Sequence, residues 1–447
     1  MKVSTLLLLG LALPSLARAW DAKRVPDYLE AELGRRVRYS PQPGFGARFF
    51  VETAGLWHPT DGNDLPPRGG FRSARSELCF YTLASGGPSC EVGPADARRQ
   101  LRASRDLLEG ARLSADRFGM RLTRDALIEA LRARDDSGGR FERRLLRAQA
   151  RPREIPPDSV LALPRAARAR VGVYFVPGYN HNRGLSQEVF RRAAARLNEL
   201  GFVSDVIQTS PAGDRFGNAR QIAAQLTQIE GRVDSILLVT LSKGSSDAST
   251  FVVQELPRLP ALSAKLRVIV TLSGVVRDAF MPRWLAHAPG GTTSLLRWQL
   301  RRYLPEDHRL FDGLASMAED PWSGARPSSL PAADHLLWIH FPMIPESPRG
   351  LPEKKGILRI TNRYALRADD RIGPHDGLVE TAASILPPDT PYKQWIVRAL
   401  GDHGLIDGNY LGGQPVSEAF ASGQDNAAAG IEVMGAFLRA LPRDILE

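Results

Sequence analysis

Between residues 168 and 275 short apolar runs and amphipathic stretches take turns along the chain. Val171–Val176, Phe202–Ile207, Ser235–Thr240 and Val268–Leu272 are bounded apolar runs of strand length. The stretches Leu185–Leu200, Ala219–Gln228 and Ser246–Leu256 read as helices, with apolar residues recurring at helical spacing. Strands alternating with helices at this interval need right-handed crossovers. This part of the chain therefore predicts a mostly parallel, doubly wound α/β sheet covered on both faces. The alternation resumes with Gly356–Tyr364 and Lys393–Leu400 as strands and Ala427–Leu441 as a closing helix.

From Val275 to about Glu353 the alternation lapses into a stretch holding Trp284, Trp298, Trp322, Trp338 and Phe341 with several prolines. An insertion there sits over the carboxyl ends of the strands and reads as a helical lid. Its aromatics either line an apolar substrate pocket or pack the lid onto the sheet. Upstream, residues 38–93 look strand-rich and aromatic, and residues 95–149 look helical and arginine-rich. Within Thr123–Arg134, Leu127, Ile128 and Leu131 fall on one helical face. The prolines of Arg151-Pro152-Arg153 and Ile155-Pro156-Pro157 interrupt the pattern. They divide a mixed α+β N-terminal domain of residues 20–165 from a second domain of residues 166–447.

A chain of 447 residues has ample capacity to bury a core. With 43% hydrophobic and 24% charged residues, a mainly disordered protein is excluded. Lys2, the apolar stretch Leu6–Leu13 and the small-residue site Ala17-Arg18-Ala19 before Trp20 form a signal peptide over residues 1–19, too short to span a bilayer. Export to a periplasm or beyond makes the thiols of Cys79 and Cys90 oxidisable. The Gly86-Gly87-Pro88 turn between them suits a disulfide, which would contribute about 3 kcal/mol by closing its loop. The net charge of +10 comes from arginines spread among Asp and Glu. That distribution excludes a nucleic-acid groove and leaves room for peripheral association with an acidic envelope surface. No His or Cys pair has metal-ligand spacing, and no cofactor is expected.

The strand Ile236–Thr240 runs directly into Leu241-Ser242-Lys243-Gly244-Ser245-Ser246, and a helical pattern follows. A serine on such a turn is pushed above the sheet edge, with the free amides of the helix start behind it. The pattern is Thr240-x-Ser242-x-Gly244, and threonine in place of the usual first glycine must squeeze between strand and helix, which would distort the elbow. An earlier strand ends in Val176-Pro177-Gly178-Tyr179-Asn180-His181. The backbone N–H groups of Tyr179 and Lys243 are the candidate oxyanion donors, with the Lys243 side chain turned to solvent or to an acidic neighbour. In Gly373-Pro374-His375-Asp376-Gly377-Leu378-Val379, Asp376 is the candidate acid, with Asp369 and Asp370 as rivals. In Gly401-Asp402-His403-Gly404, His403 is the candidate base. A histidine in a glycine-flanked loop can take the serine proton through one ring nitrogen and donate the other N–H to a carboxylate. His181, His287, His308, His335, His340 and His375 lie in less suitable places.

On the Ser-Lys-Gly elbow at 242–244 and the Asp-Gly-Leu-Val turn at 376–379, residues 168–441 resemble the α/β-hydrolase superfamily, in its lipase and esterase branch. The resemblance implies acylation of Ser242, proton transfer through His403 oriented by Asp376, and hydrolysis of a small-molecule or lipid ester. Thr271-Leu272-Ser273-Gly274 stands where many lipases have Pro-His-Arg-Gly, which speaks against a triacylglycerol lipase. Two other functions are compatible with these residues. One is an acyltransferase using the same triad, and the other is a catalytically silent envelope binding protein.

Overall fold

The computed structural model describes residues 37–42, 46–53, 56–60, 94–118, 120–179, 185–280, 313, 315–325, 327–331, 335–345, 372–400, 403, 410–411, 414–415 and 434–446. The chain divides into a unit formed by Met1–Gly93 with Arg117–Gly119 and a unit formed by Pro94–Asp116 with Met120–Glu447. The first contains β1 (Val37–Gln42), β2 (Gly46–Thr53) and β3 (Leu56–Thr60), an antiparallel meander with Tyr39 opposite Phe49 and Val51 opposite His58. Cys79 and Cys90, like the signal peptide expected at residues 1–19, lie outside the described residues.

The second unit is built on a 6-stranded sheet. Its strands are β4 (Val171–Val176), β5 (Val203–Val206), β6 (Ser235–Leu241), β7 (Leu266–Leu272), β8 (Leu337–Phe341) and β10 (Lys393–Ile396), in the order β10-β8-β7-β6-β4-β5 with every pair parallel. Alternate residues of each strand feed opposite cores, as the pleat dictates. On one face Val173, Phe175, Leu237, Val239, Val268, Val270 and Ile339 pack with Phe190 and Leu197 of a helix at Leu185–Glu199 and with Phe437 and Leu441 at the C-terminal end. On the other, Tyr174, Ile236, Leu238, Ile269 and Trp338 meet Ala219, Ile222 and Leu226 of a helix at Arg215–Ile229 and Phe251 beyond the elbow helix. Fully buried parallel strands read as continuous apolar runs for this reason.

The two compact units divide near residue 93, ahead of the boundary expected at residues 150–168. The helices α1 (Pro94–Ala103), α2 (Leu107–Phe118), α3 (Met120–Ala133) and α4 (Arg140–Ala150) follow a division near residue 93, and α4 is part of the sheet core. Phe141, Leu145 and Ala148 are spaced by one helical turn each and pack with Phe175 and Phe437, while Arg143 and Arg147 between them are exposed and Arg144 donates to Ala440 O at 2.8 Å. The α3–α4 turn also occupies the edge of the sheet. Asp136 N–H donates to the Gln394 carbonyl at 2.9 Å, and the carboxylates of Asp136 and Asp135 accept from Gln394 N–H (2.7 Å) and Ile396 N–H (3.2 Å). Strand β10 thus finds on its outer side the partners that another strand would supply.

Two further expectations change. Leu337–Phe341, read as lid, is a central strand between β7 and β10; Trp338 is fully buried in the core, and Trp322 packs edge-on against it at 5.7 Å. Trp284 and Trp298, like the predicted strand Gly356–Tyr364, lie outside the described residues. Lys393–Leu400 follows Leu337–Ile344 along its length but splits into β10 and β11 (Ala399–Leu400), the latter paired with β9 (Met343–Ile344). Among the described residues no helix is long and apolar enough to cross a membrane.

Candidate active site

Strand β6 delivers Ser242 to the carboxyl edge of the sheet, and helix α5 (Lys243–Thr250) starts at the next residue. Ser242 has φ 50° and ψ −117°, a left-handed backbone that a side chain adopts only under strain. Hydrogen bonds hold it there: Ser242 N–H donates to Leu272 O at 3.0 Å, and Ser242 O accepts from Ser245 N–H (3.0 Å) and Val275 N–H (3.1 Å). Gly244 is required by close approach, since a Cβ there would lie 2.5 Å from Val176 O and 2.6 Å from Pro177 O.

Thr240 does not distort the elbow. Its hydroxyl donates to Val270 O at 2.9 Å and pairs with Ser245 Oγ at 2.7 Å, so a fully buried polar atom is satisfied. Space comes from Gly274, where a Cβ would sit 2.6 Å from Ser245 Oγ. The threonine therefore fills room that the smaller residues at 245 and 274 leave.

Ser242 Oγ lies 2.8 Å from His403 Nε2, and His403 Nδ1 lies 2.9 Å from Asp376 Oδ2. The carboxylate is anchored from behind, because Asp376 Oδ1 accepts from Leu378 N–H at 3.0 Å and Val379 N–H at 2.8 Å. Gly377, at φ 107°, makes that turn possible, and His403 N–H donates to Asp376 O at 2.9 Å, tying the two loops by main chain as well. With a carboxylate at Nδ1 the imidazole carries its proton there, which leaves Nε2 to accept from the serine hydroxyl. Asp376 is almost fully buried, the His403 side chain retains 12% exposure, and Ser242 is half-buried, so the array opens towards solvent at its serine end.

Of the expected oxyanion donors, Lys243 is the first residue of α5 and Tyr179 follows Gly178 at the end of β4. A Cβ on Gly178 would be 3.3 Å from Ser242 Cβ, so the loop bearing Tyr179 passes directly beside the serine. The Lys243 side chain meets an acidic neighbour in the interior, not solvent. Its Nζ donates to both oxygens of Asp247 at 2.8 Å, Asn218 Nδ2 donates to Asp247 Oδ2 at 2.9 Å, and lysine and aspartate are each 1% exposed. Burial pushes the Asp247 carboxyl up from its usual range, and Lys243 only partly offsets this. The sequence reading missed Asp247 and Asn218; the available signal was the lysine-to-aspartate spacing of one helical turn.

The rival histidines within the described residues are occupied elsewhere. His340 is fully buried on β8, 2.8 Å from Thr271 Oγ1, and burial lowers its pKa to about 3. His375 accepts the Gly377 N–H through Nδ1, burial lowers its pKa, and it shapes the acid turn from within. His335 is bonded to Ser263 O. His181, His287, His308, Asp369 and Asp370 lie outside the described residues.

Strand order, elbow and the chain order serine, aspartate, histidine define the α/β-hydrolase fold with its serine–histidine–aspartate array. Among solved structures the chain is similar to a lipase of Bacillus licheniformis in mature form, at 17% identity, 53% of this chain, 85% of that chain and a TM-score of 0.35. It is similar to a metagenomic carboxyl esterase at 21% identity, with 61% and 75% covered and a TM-score of 0.40. A further match is carboxyl esterase 2 of the mycorrhizal fungus Tuber melanosporum, at 14% identity, with 62% and 80% covered and a TM-score of 0.32. No family model and no curated protein matches the chain.

Proposed function

We propose that this protein is an exported serine hydrolase that cleaves carboxylic esters through an acyl-serine intermediate. The reading is carried by the continuous hydrogen-bonded line from Ser242 Oγ through His403 to Asp376, at 2.8 and 2.9 Å, on an elbow whose serine has positive φ. As Ser242 Oγ attacks the ester carbonyl carbon, its proton passes to His403 Nε2 and the carbonyl oxygen becomes an oxyanion facing the amides of Tyr179 and Lys243. The imidazolium, steadied by Asp376, returns that proton to the departing alkoxide, which leaves as an alcohol. Water then attacks the acyl-serine by the same route, releasing the acid and restoring the serine. The Lys243 amide is well suited to its part because its side chain is pinned to the same helix by Asp247.

The test is hydrolysis of p-nitrophenyl esters of increasing acyl length by the purified protein beside Ser242→Ala, with labelling by a serine-directed phosphonate. Activity and labelling lost on substitution support the reading. Equal rates in both proteins place the chemistry on another residue, and a folded protein that neither turns over nor labels refutes it. Export rests on the leader at residues 1–19, and expression of the tagged full chain should yield a mature N-terminus at Trp20 outside the cytoplasm.

A further inference from the structure

The acid turn is fastened to helix α2 by a buried guanidinium. Arg112 donates through Nε to Glu380 Oε1 at 3.0 Å and through Nη2 to Glu380 Oε2 at 2.6 Å, with Nη2 also 3.2 Å from Asp278 Oδ2. Arg112 is 9% exposed and Glu380 2%, so the fork is shielded from water. Glu380 closes the turn that carries Asp376: its Oε1 also accepts from Gly373 N–H at 2.9 Å, its backbone bridges to His375, and Thr381 N–H donates to Pro374 O at 2.9 Å. Asp278 belongs to the segment beyond β7, which reaches the serine elbow through Val275 N–H to Ser242 O. That segment also reaches the acid loop through Val276 and Arg277 N–H groups to Ala383 O. The same helix is held a second time, because Arg277 grips both oxygens of Asp106 at 2.7 and 2.8 Å, and Asp106 caps α2 by accepting from Leu108 N–H.

We propose that Arg112 is a positioning residue for the hydrolytic array, the point at which α2 locks the Asp376 turn to the segment that supports the Ser242 elbow. It touches neither substrate nor reacting atoms. Its two carboxylate partners belong to the two chain segments whose relative placement sets the distance from aspartate through histidine to serine. The fork is planar and bidentate, so it fixes orientation as well as separation, which a lysine in its place would not. This assigns a task to part of the helical stretch that precedes the sheet. The inference rests on the ester-hydrolase reading above.

A buried ion pair can be replaced by neutral groups with little loss of stability, whereas removing one member strands the other. The comparison is therefore between Arg112→Met, Arg112→Lys and the double variant Arg112→Met/Glu380→Gln, in which the glutamine carbonyl still serves the Gly373 amide. Each is assayed for kcat and KM on p-nitrophenyl esters and for Tm. In the double variant Tm should return close to that of the unaltered protein while kcat stays lowered by about 10- to 100-fold and KM moves less than about twofold, the signature of a misplaced array. Arg112→Lys, which keeps the charge and loses the fork, should also lose kcat. Recovery of kcat together with Tm in the double variant, or full kcat in Arg112→Lys, overturns the inference and leaves Arg112 a stabilising residue only. If the double variant does not fold, Arg112→Lys decides alone. An unaltered protein that neither labels with phosphonate nor hydrolyses esters refutes the hydrolase reading instead.

Discussion

Replacing Lys243 by methionine isolates the energetic role of the charge behind the elbow. The substitution keeps the side chain's length and apolar stem and removes the ammonium that donates to both oxygens of Asp247. Asp247 would then be a buried carboxylate whose remaining side-chain donor is Asn218 Nδ2, at 2.9 Å. Breaking a buried pair from one side costs about 3–5 kcal/mol, which at roughly 2 °C per kcal/mol for a chain of this size lowers Tm by about 6–10 °C. The sign of the pH dependence follows from the carboxyl. Burial already raises its pKa above the ordinary aspartate range, and removing Lys243 deletes the largest opposing influence, so the folded variant binds a proton that the unfolded chain has released. Stability of the variant must therefore rise as pH falls towards the unfolded value, and the penalty must be larger at pH 8 than at pH 5. Thermal denaturation of both proteins at the two pH values measures this. Lys243→Met/Asp247→Asn, which removes both charges and keeps an oxygen for Asn218, should recover most of the loss. A single variant within about 2 °C of the unaltered protein, or a penalty independent of pH, would refute the argument.

Asp376→Asn should leave the fold intact and lower kcat by about 10⁴-fold, because the amide favours the wrong imidazole tautomer at His403; stopped assays at saturating ester measure it. Gly244→Ala should fail to give a folded, phosphonate-reactive protein, since the new methyl would stand 2.5 Å from Val176 O, whereas the same change at Gly231, which has open space, should be tolerated. His340, with its pKa lowered from 6.5 to about 3, stays neutral in the folded state while the unfolded chain takes up a proton. Its contribution is fully present above pH 6.5 and is lost on acidification by about 1.4 kcal/mol per pH unit, so denaturant midpoints should fall from pH 7 to pH 5 and fall less in His340→Gln. His375 shifts in the same direction and steepens the effect.

The order of strands and helices from Val171 to Leu272 was legible because each buried strand is a bounded apolar run and each covering helix has a stripe. Ser242, Asp376 and His403, which the fold brings into one hydrogen-bonded line, could be chosen without contacts because such loops come in a fixed chain order and Gly244, Gly377 and Gly404 follow them within two residues. Where these signals were mixed the reading failed. Leu337–Phe341 carries a tryptophan and a histidine and follows a proline-rich stretch, which disguised a central strand as lid, although the run from Leu336 to Phe341, broken only by His340, has strand length. Helix α4 looked foreign to the sheet because its arginines dominate the composition, while its buried apolar residues Phe141, Leu145 and Ala148 join the sheet core. Thr240 looked like a defect because the compensating residues, Ser245 and Gly274, come together only through the fold. Buried ion pairs such as Lys243–Asp247 and Arg112–Glu380 are the least legible of all, since a charged residue on a helix is usually solvated.

The aspartates of the α3–α4 turn have a consequence for how the protein can be cut. A strand edge with free N–H and C=O groups is a template on which another chain can add. Asp135 and Asp136 occupy those groups on β10 from a segment that precedes the sheet by sequence. A fragment beginning at residue 166, the boundary that the proline-rich stretch invites, would keep the serine, the aspartate and the histidine and still uncover this edge. It should self-associate, and solubility would return only when the fragment begins ahead of α3.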